Sequence, residues 1–384
     1  MAEGGTANRA AVIECLHDGP HKGVIFVAGG GSLILSDLLQ VPGASATLLE
    51  ARIPYAQAAL TSLLGEAPEQ ACSAGTARDL AMCAFLRGKA LDPDARTFGL
   101  AITASLRSTR PKRGEHRAWC AVQTSARTHT TLLHLAKGAR SREEEERFLA
   151  DIALAALAQA LGIDPPAANM LEADTLRARV AEGDADMQAL LSGSCSAIPT
   201  HTGPPKAILP GAFNPLHEGH RRMAAFAASR LGEPVAYELC VRNVDKPPLN
   251  FHDMRARRKQ FNTSEEVWLT NASTFIEKAR VFGGVTFVVG VDTIMRVADP
   301  RYYEDGDVDA AVEELAAAGC RFLVFGRLLG GVTGADAGEI FVELEDLDLP
   351  ERLRELCDGF GEAEFRSDVS STALRARRRA IQKS

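Results

Sequence analysis

The 384-residue chain has no uninterrupted apolar run of about eighteen residues or more, which excludes a membrane-spanning helix. Its opening residues, MAEGGTANRAAVIECLHDG, lack the apolar core of a signal peptide, so the expectation is a soluble, cytoplasmic protein. Neither sign of charge prevails: 43 Lys and Arg against 50 Asp and Glu leave a net charge of −7. An imbalance that small points to neither nucleic acid nor a membrane surface as partner. The eight cysteines (Cys15, Cys72, Cys83, Cys120, Cys195, Cys240, Cys320, Cys357) contain no CxxC pair. They read as small buried hydrophobes in a reducing compartment, not as disulfides or metal ligands. The remainder is ordinary globular composition, 46% hydrophobic and 24% charged, long enough for two domains.

The most informative stretch is Lys206 to Arg230, KAILPGAFNPLHEGHRRMAAFAASR. Ala207 to Leu209 is a short unbroken apolar run, as in a strand buried on both faces of a parallel sheet. Pro210 and Gly211 end it, Asn214 and Pro215 suit a tight turn, and Met223, Phe226 and Ala227 recur at helical spacing. A strand, loop and helix in that order point free N–H groups, and roughly half an elementary charge, out of the sheet's carboxyl edge, where an anion is favoured. Gly211 is expected to admit a phosphate closely. His217 and His220 lie about one turn apart at the helix start, with small Gly219 between them. Imidazoles there can donate to phosphate oxygens whose charge grows in a transition state. A zinc clip and two purely structural histidines are the alternatives. The spacing is not that of HExxH and no third ligand stands out, so no metal is expected to be held by the protein itself.

GAFNPLHEGH resembles the GxFxPxHxGH signature of the nucleotidyltransferase superfamily, which includes nicotinamide mononucleotide adenylyltransferases, phosphopantetheine adenylyltransferase and cytidylyltransferases. The resemblance implies a Rossmann-like domain with a parallel sheet, in which Gly211, Ala212, Phe213, Asn214 and Gly219 line the nucleotide. Further on, Val235 to Val244 reads as a second strand, and DKPP after it places Lys246 at a carboxyl edge within reach of a phosphate. HDMRARRKQF, from His252 to Phe261, is a basic helix. The resemblance makes Arg255 its nucleotide contact, with Arg257, Arg258 and Lys259 on a solvated side. Val267 to Ala272 and Val285 to Val289 continue the parallel strands around a helix from Phe275 to Phe282. GVDT resembles the family's Gly-x-Asp turn: Gly290 lies beside the nucleotide, and Asp292 bonds a ribose hydroxyl or caps a helix. Tyr302, Tyr303 and the acidic run to Asp309 have no assigned purpose. A helix from Ala310 to Ala318 and a strand from Cys320 to Phe325 lead to Arg327 at another carboxyl edge. Last, DVSSTALR resembles the SSTxxR motif: Ser370 or Ser371 caps a helix, and Ser371, Thr372 and Arg375 cradle the β- and γ-phosphates.

In the N-terminal half, Val24 to Ala28 reads as a buried strand entering Gly29, Gly30, Gly31 and Ser32, with a helix after them. Thr47 to Tyr55 reads as the next strand, Ala77 to Leu86 as a helix, and Phe98 to Ala104, His116 to Thr124 and Thr128 to Leu135 as strands. A helix from Arg142 to Leu161 closes a three-layer α/β domain. The order of GGGS, PGAS and PY resembles the C-terminal domain of the competence-damage-inducible family (CinA), whose active members are nicotinamide mononucleotide amidohydrolases. By that alignment the family's nucleophilic Ser falls on Ala28 and its catalytic Lys on Leu60, while Tyr55 is retained. A methyl group cannot attack an amide and a leucine cannot polarise one, so amidohydrolase activity is expected to be absent. The glycines, Ser32 and Tyr55 are left as a ligand loop, with Arg107, Arg110, Lys112 and Arg113 either gripping a phosphate or lying in solvent.

The expected organisation is therefore α/β throughout: 1–162 CinA-like, 163–204 a linker with a polar helix-like stretch from Leu171 to Leu191, and 205–384 the nucleotidyltransferase domain. The implied activity is transfer of AMP from ATP to a pyridine mononucleotide with loss of pyrophosphate, assisted by Mg2+ carried on the ATP. His217, His220, Lys246 and Arg375 are the catalytic set. Asn214, where many bacterial relatives have Asp, favours the pyridine acceptor. A cytidylyltransferase acting on a phosphorylated alcohol, a nucleotide sensor without turnover, and a nicotinamide mononucleotide deamidase stay open. Partners are a nucleoside triphosphate and a small phosphorylated acceptor, not nucleic acid or membrane, and a homo-oligomer is left open.

Overall fold

A computed structural model describes residues 3–109, 113–199, 203–242, 244, 246–303, 306–329, 340–369, 371, 374, 375 and 377. The chain forms two compact units, one of 1–192 with 245–254 and one of 193–244 with 255–384. Among the described residues no helix is long and apolar enough to cross a membrane, and all eight cysteines are free thiols.

The first unit runs α1 (Glu3–His17), β1 (His21–Ala28), α2 (Leu33–Gln40), β2 (Leu48–Arg52), α3 (Gln57–Leu64), α4 (Ala74–Leu91), β3 (Arg96–Ser105), β4 (His116–Thr124), β5 (Arg127–Leu135), α5 (Arg142–Ala160), β6 (Thr175–Glu182) and α6 (Ala185–Ser192). Its sheet has the order β2-β1-β3-β4-β5-β6. The first three strands are parallel and the rest antiparallel. Side chains of β1 alternate between faces, and both faces are covered. Ile25 and Val27 pack with α1, α2 and α5; Val24, Phe26 and Ala28 pack with α3 and α4. Two apolar layers on opposite faces make the three-layer sandwich. Helix α5 begins with a reciprocal cap in which Glu144 N–H donates to Ser141 Oγ at 3.1 Å and Ser141 N–H to the Glu144 carboxylate at 2.6 Å.

Two sequence expectations are corrected here. The stretch from Leu171 to Leu191 is not one helix: 175–182 is strand β6, antiparallel to β5 over the register Arg127↔Glu182 to His134↔Thr175. Its side chains are exposed except Ala181, so the apolar alternation that betrays a half-buried strand is missing, and only pairing with β5 selects the extended form. The segment 163–204 is also more than a linker. It closes the first sheet with β6 and supplies β7 (Ala197–Pro199), which pairs antiparallel with a strand of the second unit.

The chain continues with β8 (Ala207–Pro210), α7 (Glu218–Leu231), β9 (Val235–Cys240), α8 (Phe251–Arg258, the part from Arg255 in the second unit), β10 (Val267–Thr270), α9 (Phe275–Phe282), β11 (Thr286–Gly290), α10 (Val291–Val297), α11 (Val308–Ala317), β12 (Arg321–Phe325), β13 (Arg327–Leu329), β14 (Ile340–Val342), α12 (Glu351–Glu355) and β15 (Cys357–Phe360). The main sheet has the order β15-β12-β11-β8-β9-β10-β7, parallel except at β7. Reading outward from β8, the chain adds β9 and β10 on one side and β11, β12 and β15 on the other. The direction of winding therefore reverses between β8 and β11, and a doubly wound sheet binds ligands outside the carboxyl ends of its strands at that reversal. Ile208, Phe287, Val289, Phe322 and Val324 pack with α9, α10, α11 and α12 on one face. Phe226 of α7 packs edge-on against Phe325 and Phe360, with ring centroids 5.7 and 5.1 Å away.

Candidate active site

The loop from Pro210 to His217 leaves the carboxyl end of β8 at the reversal point. It has no ladder of its own, so its backbone groups need partners elsewhere. Side chains from other elements supply them. Arg257 Nη1 donates to Ala212 O at 2.9 Å, Gln260 Nε2 to Phe213 O at 2.9 Å, Arg375 Nη1 to Asn214 O at 2.7 Å and Ser371 Oγ to Pro215 O at 2.9 Å. Four consecutive carbonyls thus meet four separate side chains. On the donor side, Gly211 N–H reaches Glu238 O at 2.9 Å and Leu216 N–H reaches Gln260 Oε1 at 2.9 Å. The Asn214–Pro215 peptide is cis and Phe213 has φ 44°, in the left-handed region that a bulky residue occupies only when its surroundings impose it. The imposition is visible: the fully buried Phe213 ring meets Tyr237, Phe261 and His220 edge-on at centroid distances of 5.7, 5.2 and 5.1 Å.

His217 is the N-cap of α7, with extended φ −144° and ψ 171°. Its ring stacks on that of His220 at 3.8 Å between centroids. Its backbone N–H donates to His220 Nδ1 at 3.3 Å, so the single proton of a neutral His220 sits on Nε2. Burial holds the His220 pKa down, with help from His217, Arg327 and Arg221, to about 3. Burial and then Arg327 lower that of His217. Both rings are uncharged donors at neutral pH. His217 Nδ1 is buried without a hydrogen-bond partner. Gly219 leaves space here: a Cβ would lie 2.8 Å from Ser367 Oγ and 3.0 Å from His217 Nδ1, and both side chains would have to give way. Gly211 also answers a need of packing. A Cβ there would meet the Phe213 ring at 2.7 Å, so the glycine makes room for a side chain.

Gly290 is the N-cap of α10, and Asp292 in its first turn pairs with Arg327 Nη1 at 3.0 Å. Ser371 and Arg375, 156 and 161 residues from their loop partners, are thereby brought to the histidine loop, and Arg327 is close enough to depress both imidazoles. Ser370 and Thr372 lie outside the described residues. Arg255 is exposed on α8. The neighbour expected to be solvated, Arg257, is the one that reaches the loop; α8 turns Arg257 and, beyond its end, Gln260 the same way because they are three apart. Lys246 pairs with Glu66 at 2.8 Å, with both side chains at least half exposed, and its contact group is the first unit. Gln260 and Arg257 carried no sequence signal, since neither belongs to a chemical motif.

In the first unit, Gly29, Gly30, Ser32, Tyr55, Arg142 and Glu146 line a cavity of about 390 Å3 at the carboxyl end of β1. Gly29 has φ +84° and a Cβ would lie 2.2 Å from Ala104 O, so only glycine fits. Ser32 is committed to Glu146 through its N–H at 2.6 Å and its hydroxyl at 2.8 Å, and Arg142 donates to Gly29 O at 3.0 Å. Gly31 faces Ile102 and Leu149. Ala28 and Leu60 are buried in the apolar layer. Arg107 donates its main-chain N–H to Glu145 at 2.6 Å and Nη1 to the Arg140 carbonyl at 2.9 Å, whereas Arg110 and Lys112 lie outside the described residues.

A doubly wound sheet with an imidazole pair at its reversal point defines an α/β domain with a candidate ligand site outside the carboxyl ends of its strands. Residues 208–377 match the cytidylyltransferase-like family, and the second unit carries a domain of that nucleotidyltransferase type. A candidate nicotinamide mononucleotide adenylyltransferase of Schizosaccharomyces pombe is 24% identical over 159 residues, 38% of this chain and 63% of that protein, so the chain spans less than two thirds of that relative. Among solved structures, the competence/damage-inducible protein CihA of Agrobacterium tumefaciens is similar at 18% identity, TM-score 0.32, over 41% of this chain and 93% of that one. A CinA-superfamily protein of Escherichia coli is similar at 19% identity, TM-score 0.33, over 40% and 88%. These structural likenesses fall on the N-terminal part of the chain.

Proposed function

We propose that the second unit transfers AMP from ATP to a pyridine mononucleotide and releases pyrophosphate. The observation that carries this reading is the meeting of His217 and His220 with Ser371 and Arg375 at one loop beside the winding reversal. An oxygen of the acceptor's phosphate attacks the α-phosphorus, the bond to the bridging oxygen breaks, and pyrophosphate leaves with that electron pair. No enzyme nucleophile is needed, so the chain's part is positioning and charge neutralisation. His220, with its proton on Nε2, donates to an α-phosphate oxygen as charge grows there, and His217 holds the neighbouring phosphates. Arg375 and Arg327 take the β- and γ-phosphates, and Asp292 faces the ribose. Because both imidazoles are neutral and Asp292 is tied to Arg327, the residues suit a Mg2+ held on the phosphate oxygens, which would supply the charge that the rings do not. The S. pombe relative supports the pyridine acceptor, and the family match supports CTP as the runner-up donor. Incubating the protein with ATP or CTP against pyridine mononucleotides and phosphorylated alcohols, while following pyrophosphate, tests the reading. ATP with a pyridine mononucleotide should be the fastest pair. Tight triphosphate binding with no pyrophosphate from any pair would replace the enzyme by a sensor.

A further inference from the structure

The side chain of Gln260, two residues beyond α8, uses both ends of its amide on the histidine loop. Oε1 accepts from Leu216 N–H at 2.9 Å, and Nε2 donates to Phe213 O at 2.9 Å and to Arg257 O at 3.3 Å. Phe213 C=O and Leu216 N–H stand on either side of Asn214 and Pro215, and Leu216 is the residue before His217. One planar amide therefore sets the separation between the two ends of the turn that delivers the imidazoles. The backbone of Gln260 is held in turn. Arg221, beside His220 on α7, donates to Gln260 O at 3.1 Å and is itself fixed by the Glu265 carboxylate at 2.8 and 3.2 Å. The segment 260–265 thus bonds the loop before His217 and the helix residue after His220, on either side of the two rings.

We propose that Gln260 is a positioning residue for nucleotidyl transfer, holding the 213–216 turn so that His217 and His220 meet the α-phosphate correctly. This rests on the proposed transferase activity. A glutamine is suited to the place because the turn presents one acceptor and one donor. A carboxylate would offer two acceptors and leave Phe213 O facing a negative charge, whereas a protonated carboxyl again offers one donor and one acceptor. Misplacing reacting groups by about 1 Å can cost on the order of a hundredfold in rate.

The test compares wild type with Gln260→Glu and Gln260→Met. We expect kcat to fall roughly ten- to a hundredfold in both, with KM for the triphosphate changed much less. The ratio of Gln260→Glu to wild-type activity should rise as pH falls toward the ordinary carboxyl range near about 4, a rescue that Gln260→Met cannot show. A kcat per folded molecule within twofold of wild type in both variants, or an equal loss in Gln260→Glu at every pH, overturns the proposal. Should wild type release no pyrophosphate from any pair, the transferase reading fails by itself. The imidazole proton resonances of His217 and His220 then decide: displaced in the folded Gln260→Glu protein they support the clamp, and unmoved they refute it.

Discussion

Arg375 Nη1 donates to the main-chain oxygen of Asn214 at 2.7 Å, joining residues 161 apart in sequence. The contact ties the last described helical segment to the turn that precedes the imidazoles, and Ser371 does the same one residue along. A guanidinium has five N–H groups in a fixed fork, a geometry that suits it to several oxygens at once. Under the proposed function Arg375 both shapes the loop and neutralises the leaving group.

Arg375→Ala should therefore lower kcat/KM by on the order of a hundredfold, the scale of losing one charge-stabilising donor, while Arg375→Lys recovers part because charge is kept but the fork is lost. Ser371→Ala should act mainly on stability, by about 1 kcal/mol for one hydrogen bond to Pro215 O. Pyrophosphate release and urea denaturation on the same preparations separate the two effects.

His220→Ala should reduce turnover by roughly 10² to 10³, with His217→Ala in the same range, if the rings act as transition-state donors. Gly219→Ala should also lower turnover, by a smaller factor, because its methyl would displace Ser367 Oγ and the His217 ring. Steady-state kinetics with circular dichroism as the folding control would check all three. Wild-type turnover in His220→Ala would remove the ring from the mechanism.

The pH behaviour follows from burial. With the His220 pKa pushed down to about 3 from 6.5, the ring should stay neutral, and its NMR signals unmoved, between roughly pH 5 and 8. Activity should show no inflection near 6.5 attributable to this residue. For stability, between about 3 and 6.5 the unfolded chain binds a proton on this residue and the folded chain does not. The contribution is therefore fully present above about 6.5 and is lost as pH falls from there toward 3. Acid titration of unfolding in wild type and His220→Asn would expose the difference.

In the second unit's core, Lys278 Nζ contacts both oxygens of Glu238 at 2.8 and 2.9 Å and Ala272 O at 2.7 Å. The Lys278 and Glu238 side chains are 6% and 0% exposed. Lys278→Met strands a buried carboxylate and should cost about 3–5 kcal/mol, whereas pairing it with Glu238→Leu should restore most of the loss. Because Glu238 O receives the Gly211 N–H, the single variant should also slow turnover. Denaturant midpoints of the single and double variants give the comparison.

With nicotinamide mononucleotide as substrate, the first unit should release no ammonia above the blank. Ala28 and Leu60, where the sequence resemblance to CinA would put a nucleophile and its lysine, are buried apolar side chains, and the nearby Ser32 hydroxyl is already bonded to Glu146 at 2.8 Å. Ammonia release lost in Ser32→Ala would show that this hydroxyl had taken over.

Much of the fold was legible because its strands carry apolar runs or alternation strong enough to read locally: β1, β3, β8 and β11 announce themselves, as does the helix α5. Strand β6 does not, since seven of its eight side chains face solvent and its conformation comes from a neighbour. The histidine loop likewise could be recognised from HEGH, but Gln260 and Arg257 could not be connected with it.

The amino-acid order by itself determined two α/β units, the strand–turn–helix around His217 and His220, and the late Ser371/Arg375 turn, because each depends on side chains a few residues apart. Tertiary structure alone decided that Arg257, Gln260, Arg375 and Ser371 converge on four successive carbonyls of one loop, that the imidazoles are held neutral, and that Lys246 pairs with Glu66. Burial and hydrogen bonding between distant segments exist only once the strands are laid side by side, and no local pattern encodes them.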